Sequence, residues 1–385
     1  MDISYILNQL GEERGKYFHS VAPPIIQSSN FCCNTVDDLR SAILNEEGYH
    51  LYTRGNNPTT EILRKKLAAL ANAEDALVFG SGMAAMSSAV LSLVQAGDHV
   101  ICQQNPYSWT KKLCVKILAS FGITYTFVDG TSNSEIEHAI QPNTKLIILE
   151  SPNTFTFELQ DIAFVAKLAR SKNIITVIDN TYCTSIGQRC IEMGIDLEVH
   201  SMSKYYSGHS DVVAGAVIGS KALINKIYYS GLMNLGGILS PNDAWLVLRG
   251  LRTLPIRLER VGNTTKTVVE FLAAHPKVEK LLWTHHPSFP QHELALKQMQ
   301  WSGGLFSIIL KTADTDGVER FCNQLKHFLM AVSWGGHESL AFPACAGMPK
   351  GNYKSHVPYN LVRLYCGLED ADVLIKDLEQ ALEKI

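Results

Sequence analysis

Apolar positions along this chain follow two periods. Short apolar runs recur at Ala76–Phe79, His99–Cys102, Thr124–Val128, Leu146–Leu149, Ile174–Ile178 and Leu197–His200, and runs of this length suit buried strands. Between most of them lie stretches of helical composition, such as Met83–Gln95, rich in Ala, Met and Leu, and Leu159–Arg170. Thr60 is placed to cap a helix running through Leu70. Strands alternating with helices predict an α/β fold with a mostly parallel sheet covered on both faces, closed by a further strand at Val212–Ile218.

The pattern changes at both ends. Residues 1–60 hold one short amphipathic stretch and then Pro23-Pro24, Ser28-Ser29-Asn30 and Gly55-Asn56-Asn57-Pro58. That segment is too poor in periodic apolar positions to fold alone and reads as an arm that packs on something else. Residues 61–240 form the large domain. From Ser240-Pro241-Asn242-Asp243 a long helical stretch runs towards Ala274, followed by strand signals at Leu305–Leu310 and Leu361–Tyr365 and a terminal helix near Ala371–Glu383. Residues 241–385 are therefore expected to form a smaller α/β domain behind a long connecting helix.

Composition narrows the function. The 385 residues are 46% apolar and 18% charged with a formal net charge of −3, which predicts a well-buried core and excludes polyanion-binding character. Nucleic acid and membrane are not expected partners. Nine scattered cysteines without CxxC spacing argue against a disulfide framework or a zinc site. The N-terminal sequence has no signal-peptide pattern and no apolar run is of spanning length, so the expectation is a soluble cytoplasmic protein. His285, His286 and His292 could suggest a metal, but Pro287 and Pro290 make that stretch a turn-rich loop, and no metal is expected.

Three features carry candidate chemistry. Asp179 directly follows the run Ile174–Ile178, where it is either a functional acid at the sheet edge or a helix cap. Lys204 follows the next run, flanked by Ser201 and Ser203. Gly80-Ser81-Gly82-Met83 is a small-residue turn opening a helix, where backbone N–H groups favour an anion such as phosphate. Each is weak alone. Together, a phosphate cradle, a lysine and an acid at neighbouring strand ends are what pyridoxal phosphate requires.

The motifs then become specific. Asp179-Asn180-Thr181, Ser201-Met202-Ser203-Lys204-Tyr205 and Gly208-His209-Ser210-Asp211 resemble the cystathionine synthase and lyase family of fold-type-I pyridoxal-phosphate enzymes. So do Tyr52-Thr53-Arg54-Gly55-Asn56-Asn57-Pro58, Ser81-Gly82-Met83-Ala84-Ala85, Gly250-Leu251-Arg252-Thr253-Leu254, and Arg363 with Gly367-Leu368-Glu369-Asp370. The blocks occur in order over nearly the whole chain. The resemblance implies that Lys204 binds the cofactor covalently and later moves protons, that Asp179 pairs with the ring nitrogen, and that Tyr107 stacks on the ring. It implies that Ser81, Gly82, Met83, Ser201 and Ser203 hold the phosphate, with Tyr52 and Arg54 reaching it from a neighbouring subunit. Arg363 is implied to clamp the substrate α-carboxylate. A homotetramer built from dimers with shared sites is the implied assembly.

Within that family three features point towards a cystathionine β-lyase. Ser333-Trp334-Gly335-Gly336 carries a tryptophan where γ-acting members usually have leucine, and Ser333 and Trp334 match β-lyase residues at the substrate carboxylate. The block Glu150–Glu158 departs from the common family pattern, as it does in β-lyases. Asn105–Trp109 lacks the glycine and cysteine that follow the tyrosine in methionine γ-lyases. The expected reaction is β-elimination of cystathionine or a related cysteine S-conjugate to homocysteine, pyruvate and ammonia, a step of methionine biosynthesis. A γ-acting relative (cystathionine γ-synthase, cystathionine γ-lyase or methionine γ-lyase) is the alternative, and a non-catalytic cofactor-binding regulator a remote one.

Overall fold

The computed structural model describes residues 1–349 and 352–385. They divide into two compact units: the first holds Met1–Glu150, Gln160–Ser207 and Asp211–Arg252, the second Ser151–Leu159, Gly208–Ser210 and Thr253–Ile385.

The first unit is built on a seven-stranded sheet: β1 (Asp75–Phe79), β2 (His99–Gln103), β3 (Thr124–Val128), β4 (Thr144–Glu150), β5 (Ile175–Asp179), β6 (Leu197–Ser201) and β7 (Gly215–Gly219), in the order β1-β7-β6-β5-β4-β2-β3. Every neighbouring pair from β6 to β3 is parallel. Only β7 runs against its two neighbours. The run of Val, Ile and Leu in these strands reflects burial on both faces. One face packs on the helix Gly82–Leu93 through Leu77, Ala85, Ala89, Val199 and Val217. The other packs on the helix Ile162–Ser171 through Ile147, Leu149, Val165 and Ile178. The fold is thus the α/β class read from the sequence.

The second unit carries a smaller, mostly antiparallel sheet: β8 (Val278–Leu282), β9 (Leu305–Leu310), β10 (Leu329–Met330), β11 (Leu340–Pro343) and β12 (Leu361–Tyr365), in the order β10-β11-β12-β9-β8. Its apolar core joins Phe306, Ile308, Val362 and Leu364 to Val268, Leu272, Leu374 and Leu378 from two helices. Among the described residues no helix is long and apolar enough to cross a membrane, and no group of His, Cys, Asp or Glu is arranged to hold a metal.

Several local expectations need correction. Thr60 is not a cap. Asn57 caps the helix Pro58–Leu70, its side-chain oxygen accepting from the Thr59 N–H at 2.9 Å, and Pro58 fits the first turn, where no amide donor is needed. The long helical stretch after Ser240 is two helices, Pro241–Arg252 and Leu254–Ala274, parted at Thr253 because Pro255 starts the second one. The strand read at Val212 begins only at Gly215.

Candidate active site

The carboxyl ends of β5 and β6 bring three candidate residues, Asp179, Ser201 and Lys204, to one edge. Asp179 closes β5, in register with Glu150 on one side and Val199 on the other. It is not a helix cap: the next helix, Thr184–Gly187, is preceded by Cys183 with no side-chain cap. Instead Asp179 Oδ1 accepts from the Thr181 N–H at 3.0 Å and from the Thr181 hydroxyl. The Thr181 Oγ1 in turn accepts from the Ser201 N–H at 2.8 Å. Burial pushes the Asp179 carboxyl above its usual range, while the Thr181 hydrogen bonds and the charges of His200 and Lys204 act the other way.

Lys204 lies in the turn that leaves β6, its N–H donating to the Ser201 carbonyl at 3.3 Å. It is half-buried and within electrostatic reach of Asp179. Ser203 Oγ accepts from the Ala214 N–H at 3.0 Å, which holds the turn against the segment entering β7.

The Ser81 turn adjoins this edge. Ser81 caps the helix Gly82–Leu93, its hydroxyl accepting from Ala84 N–H at 2.9 Å. The N–H groups of Gly82 and Met83 precede the first intrahelical bond and face outward. The backbone comes close here because side chains are missing. A Cβ on Gly82 would lie 2.8 Å from the Ser201 Cβ, and one on Gly215 would lie 2.1 Å from the Ser81 carbonyl oxygen. A twelve-residue helix opened by a glycine cradle, two nearby serines, a partly buried carboxylate and a lysine match a phosphate, a pyridine nitrogen and an aldehyde. The residues present therefore fit pyridoxal phosphate.

Tyr107 follows β2 and opens the helix Ser108–Lys112. Its N–H donates to Glu150 Oε2 at 2.5 Å, and the residue is 42% exposed. Glu150 was no candidate in the sequence, yet it ties the Tyr107 backbone to the strand end beside Asp179. Tyr52 and Arg54 are both exposed, with the Arg54 guanidinium 5.4 Å from the Tyr52 ring centre. Among the described residues they pair with each other, and no hydrogen bond joins them to the Ser81 turn.

The second unit holds the remaining candidates. Arg363, in the middle of β12, is 8% exposed. Its Nη1 donates to Thr154 Oγ1 at 3.0 Å, and its guanidinium lies 5.0 Å and 5.3 Å from the ring centres of Phe155 and Phe342. Thr154 and Phe155 belong to the Glu150–Glu158 block, whose departure from the family pattern was noted. Asn153 in that block is buried and consumed locally: Oδ1 accepts from the N–H groups of Thr156 and Phe157, and Nδ2 donates to Glu158 at 2.8 Å. Ser333 is exposed with a left-handed φ of 78°, whereas Trp334 is buried. Their loop is held by the Tyr365 hydroxyl, which donates to the Gly336 carbonyl at 2.8 Å, and by the Ser210 hydroxyl on Glu338.

The chain has extensive relatives. A family model described as Cys/Met metabolism PLP-dependent enzyme matches residues 6–383. An L-methionine gamma-lyase of Pseudomonas deceptionensis is 40% identical over 372 residues, 94% of this chain and 93% of that one. A cystathionine gamma-lyase of Bacillus subtilis (strain 168) is 36% identical over 343 residues, 88% and 89% of the two chains. The crystal structure of metB from Corynebacterium glutamicum matches with a TM-score of 0.93 at 34% identity, covering 100% of this chain and 98% of that one. Sequence likeness from one end to the other, carried through to the fold, means that this chain belongs to the Cys/Met metabolism family of pyridoxal-phosphate-dependent enzymes.

Proposed function

We propose that this enzyme is a carbon–sulfur lyase that eliminates at Cγ of a sulfur amino acid, methionine or cystathionine. The reaction takes up one water and releases the thiol, 2-oxobutyrate and ammonia. The observation that carries this reading is the likeness, over nine-tenths of the chain, to proteins named as γ-lyases. It moves the balance from β-elimination to the alternative. The main supports for β-elimination were Trp334 and the Asn153 block; Trp334 is buried, and the Asn153 amide is spent on Thr156, Phe157 and Glu158 within its own loop.

When bound, the cofactor supplies an electron-accepting ring that acidifies the substrate's α and β protons. The chain's residues set the terms. Lys204 Nζ holds the cofactor and then takes and returns protons at Cα and Cβ. Asp179, ionised, keeps the ring nitrogen protonated. The Gly82 and Met83 N–H groups with Ser201 and Ser203 bind the phosphate, and Tyr107 covers the ring. Arg363 Nη atoms bind the α-carboxylate, their direction fixed by Thr154 and the two phenylalanines. Ser333 is the adjacent carboxylate candidate on its loop.

Tyr52 and Arg54 are assigned to the phosphate of a second copy, in dimers that pair into tetramers in the cytoplasm. The arm that carries them exposes Phe18, Val36, Ile43 and Leu44, more apolar surface than a free monomer usually shows.

Purified enzyme given methionine and cystathionine, scored for 2-oxobutyrate against pyruvate, tests the reaction. Only 2-oxobutyrate supports γ-elimination. Pyruvate from cystathionine would restore the β-lyase reading. Mixing Tyr52→Ala with Lys204→Ala chains tests the shared site: activity recovered in the hybrid supports it, and none recovered counts against it.

A further inference from the structure

The segment leaving β2 carries a large ring out from the edge of the sheet. Tyr107 has a non-helical backbone and opens a helix of only five residues, with no side chain capping it. Pro106 before it has no N–H to give. The hold on this backbone comes from the sheet. The Tyr107 N–H donates to Glu150 Oε2 at 2.5 Å, and two residues earlier the Asn105 N–H donates to Gln103 Oε1 at 2.8 Å. Gln103 ends β2 and Glu150 ends β4, its neighbour in the sheet. The Glu150 N–H in turn donates to Gln160 Oε1 at 3.1 Å. Gln103, Glu150 and Gln160 are all buried. Both glutamines press on Gly130, where a Cβ would come within 2.9 Å of Gln160 Cγ and 3.0 Å of Gln103 Cβ.

A carboxyl group buried at a strand end loses its water, a cost that an apolar side chain would avoid. An apolar side chain, however, would take this acceptor from the partly buried Tyr107 N–H. The location adds a second reason. Glu150 is the register partner of Asp179 on the adjacent parallel strand, so the two side chains leave the same face of the sheet. Three residues beyond Tyr107, the buried Thr110 brings its hydroxyl to 4.0 Å from Met83 Sδ, in the first turn of the helix that Ser81 caps. The Tyr107 segment is thus tied at one point to the strand end beside the candidate acid, and at another to the phosphate turn. The Tyr107 side chain starts between those two ties.

We propose that Glu150 is a positioning residue for Tyr107. Its Oε2 fixes the backbone from which the Tyr107 ring reaches over the cofactor, and Gln160 fixes the strand end that carries it. The inference rests on Tyr107 being the residue that covers the ring, as assigned above. Glu150 acts through the Tyr107 main chain, so an acceptor oxygen at that point is what the role requires. A glutamine meets that requirement and a leucine of similar size does not.

The test is a double-mutant cycle on cofactor affinity, measured by fluorescence titration of the cofactor-free protein, with visible circular dichroism of the loaded enzyme as a second readout. Glu150→Leu should raise the cofactor dissociation constant roughly 10-fold and weaken the dichroic band, while Glu150→Gln stays within about 3-fold of wild type. With Tyr107→Ala in the background there is no ring left to place, so Glu150→Leu should add less than about 2-fold. A purely structural role for Glu150 would give the same fold-change in both backgrounds, and that result overturns the proposal. So does a folded Glu150→Leu with wild-type affinity and dichroism. If Glu150→Leu does not fold, Glu150→Asp, whose shorter side chain draws the acceptor back, takes its place in the cycle with the same expectations. Tyr107→Ala alone tests the underlying assignment: wild-type affinity and dichroism there mean that Tyr107 does not cover the ring, and the proposal falls with that reading.

Discussion

The Thr181 hydroxyl donates its hydrogen to Asp179 Oδ1, from two residues along the chain. The Thr181 Oγ1 also accepts from the Ser201 N–H, so Thr181 links the candidate acid to the strand that leads to Lys204. Thr181→Val keeps the shape and removes the hydrogen bond. A bond to a buried carboxylate contributes ~1.5–3 kcal/mol, so cofactor affinity measured by fluorescence titration should fall roughly 10- to 100-fold. Thr181→Ser should restore most of it.

At the phosphate turn the prediction is steric. Gly82→Ala places a methyl 2.8 Å from the Ser201 Cβ, closer than carbon atoms approach. Backbone must move, at ~1–3 kcal/mol. The loss should appear as a raised cofactor dissociation constant, with a melting temperature of the cofactor-free protein lowered by a few degrees.

Arg363 gives a prediction that separates binding from chemistry. Its guanidinium sits against Phe155 and Phe342, each contact of a kind that contributes ~0.5–2 kcal/mol when desolvated. Phe342→Leu should raise KM for the amino acid roughly 3- to 30-fold and spare kcat. Arg363→Lys should raise KM further, since an ammonium cannot reproduce the planar fork.

The arm is anchored by a buried charge cluster. Lys66 Nζ donates to the carbonyls of Ile6 and Leu7 at 2.8 and 3.0 Å and lies 3.1 Å from Glu12 Oε1. Arg252 reaches the same Glu12 oxygen at 3.0 Å, and Arg14 the other at 3.2 Å. Glu12→Gln leaves cations facing one another out of water, and breaking such a cluster costs ~3–5 kcal/mol. Denaturant unfolding should show that loss.

A pH effect follows from Glu61. His50 Nε2 and Lys65 Nζ each lie 2.5 Å from a Glu61 carboxylate oxygen. The hydrogen bond from His50, then that from Lys65, lowers its pKa from 4.5 to about 2 against the effect of burial. A depressed folded-state pKa means stability that is present above pH 4.5 and lost as pH falls towards 2. Glu61→Gln should therefore be less stable than wild type near neutrality, with the gap closing over that acid window. The gap should be small because solvent screens the pair.

The large sheet was legible because buried parallel strands write themselves as unbroken apolar runs, and Ile175–Asp179 and Leu197–Ser201 sit almost where the runs lie. The small sheet was less so. In β8, Glu279 and Lys280 interrupt the run, β10 is two exposed residues, and β11 ends on Pro343. Lys204 and Asp179 stood out through flanking motifs. Glu150, Thr154, Phe155 and Phe342 did not, since their roles come from partners distant in sequence: Arg363 lies 209 positions from Thr154. Thr181 was within reach, because an acid followed two residues later by threonine is a common side-chain turn.

The reversed strand has a consequence for how this enzyme can change. Gly215 begins β7 opposite Phe79, the last residue of β1, and Ser201, the last of β6. Running the other way, β7 delivers a beginning where its neighbours deliver ends, and that beginning is a glycine pressed on the Ser81 backbone. The anion corner is therefore made of chain direction and missing side chains more than of particular functional groups. Point substitutions can damage such a corner, but few can retune it. On the function proposed above, the choice of bond to be cut is then left to side chains outside this corner.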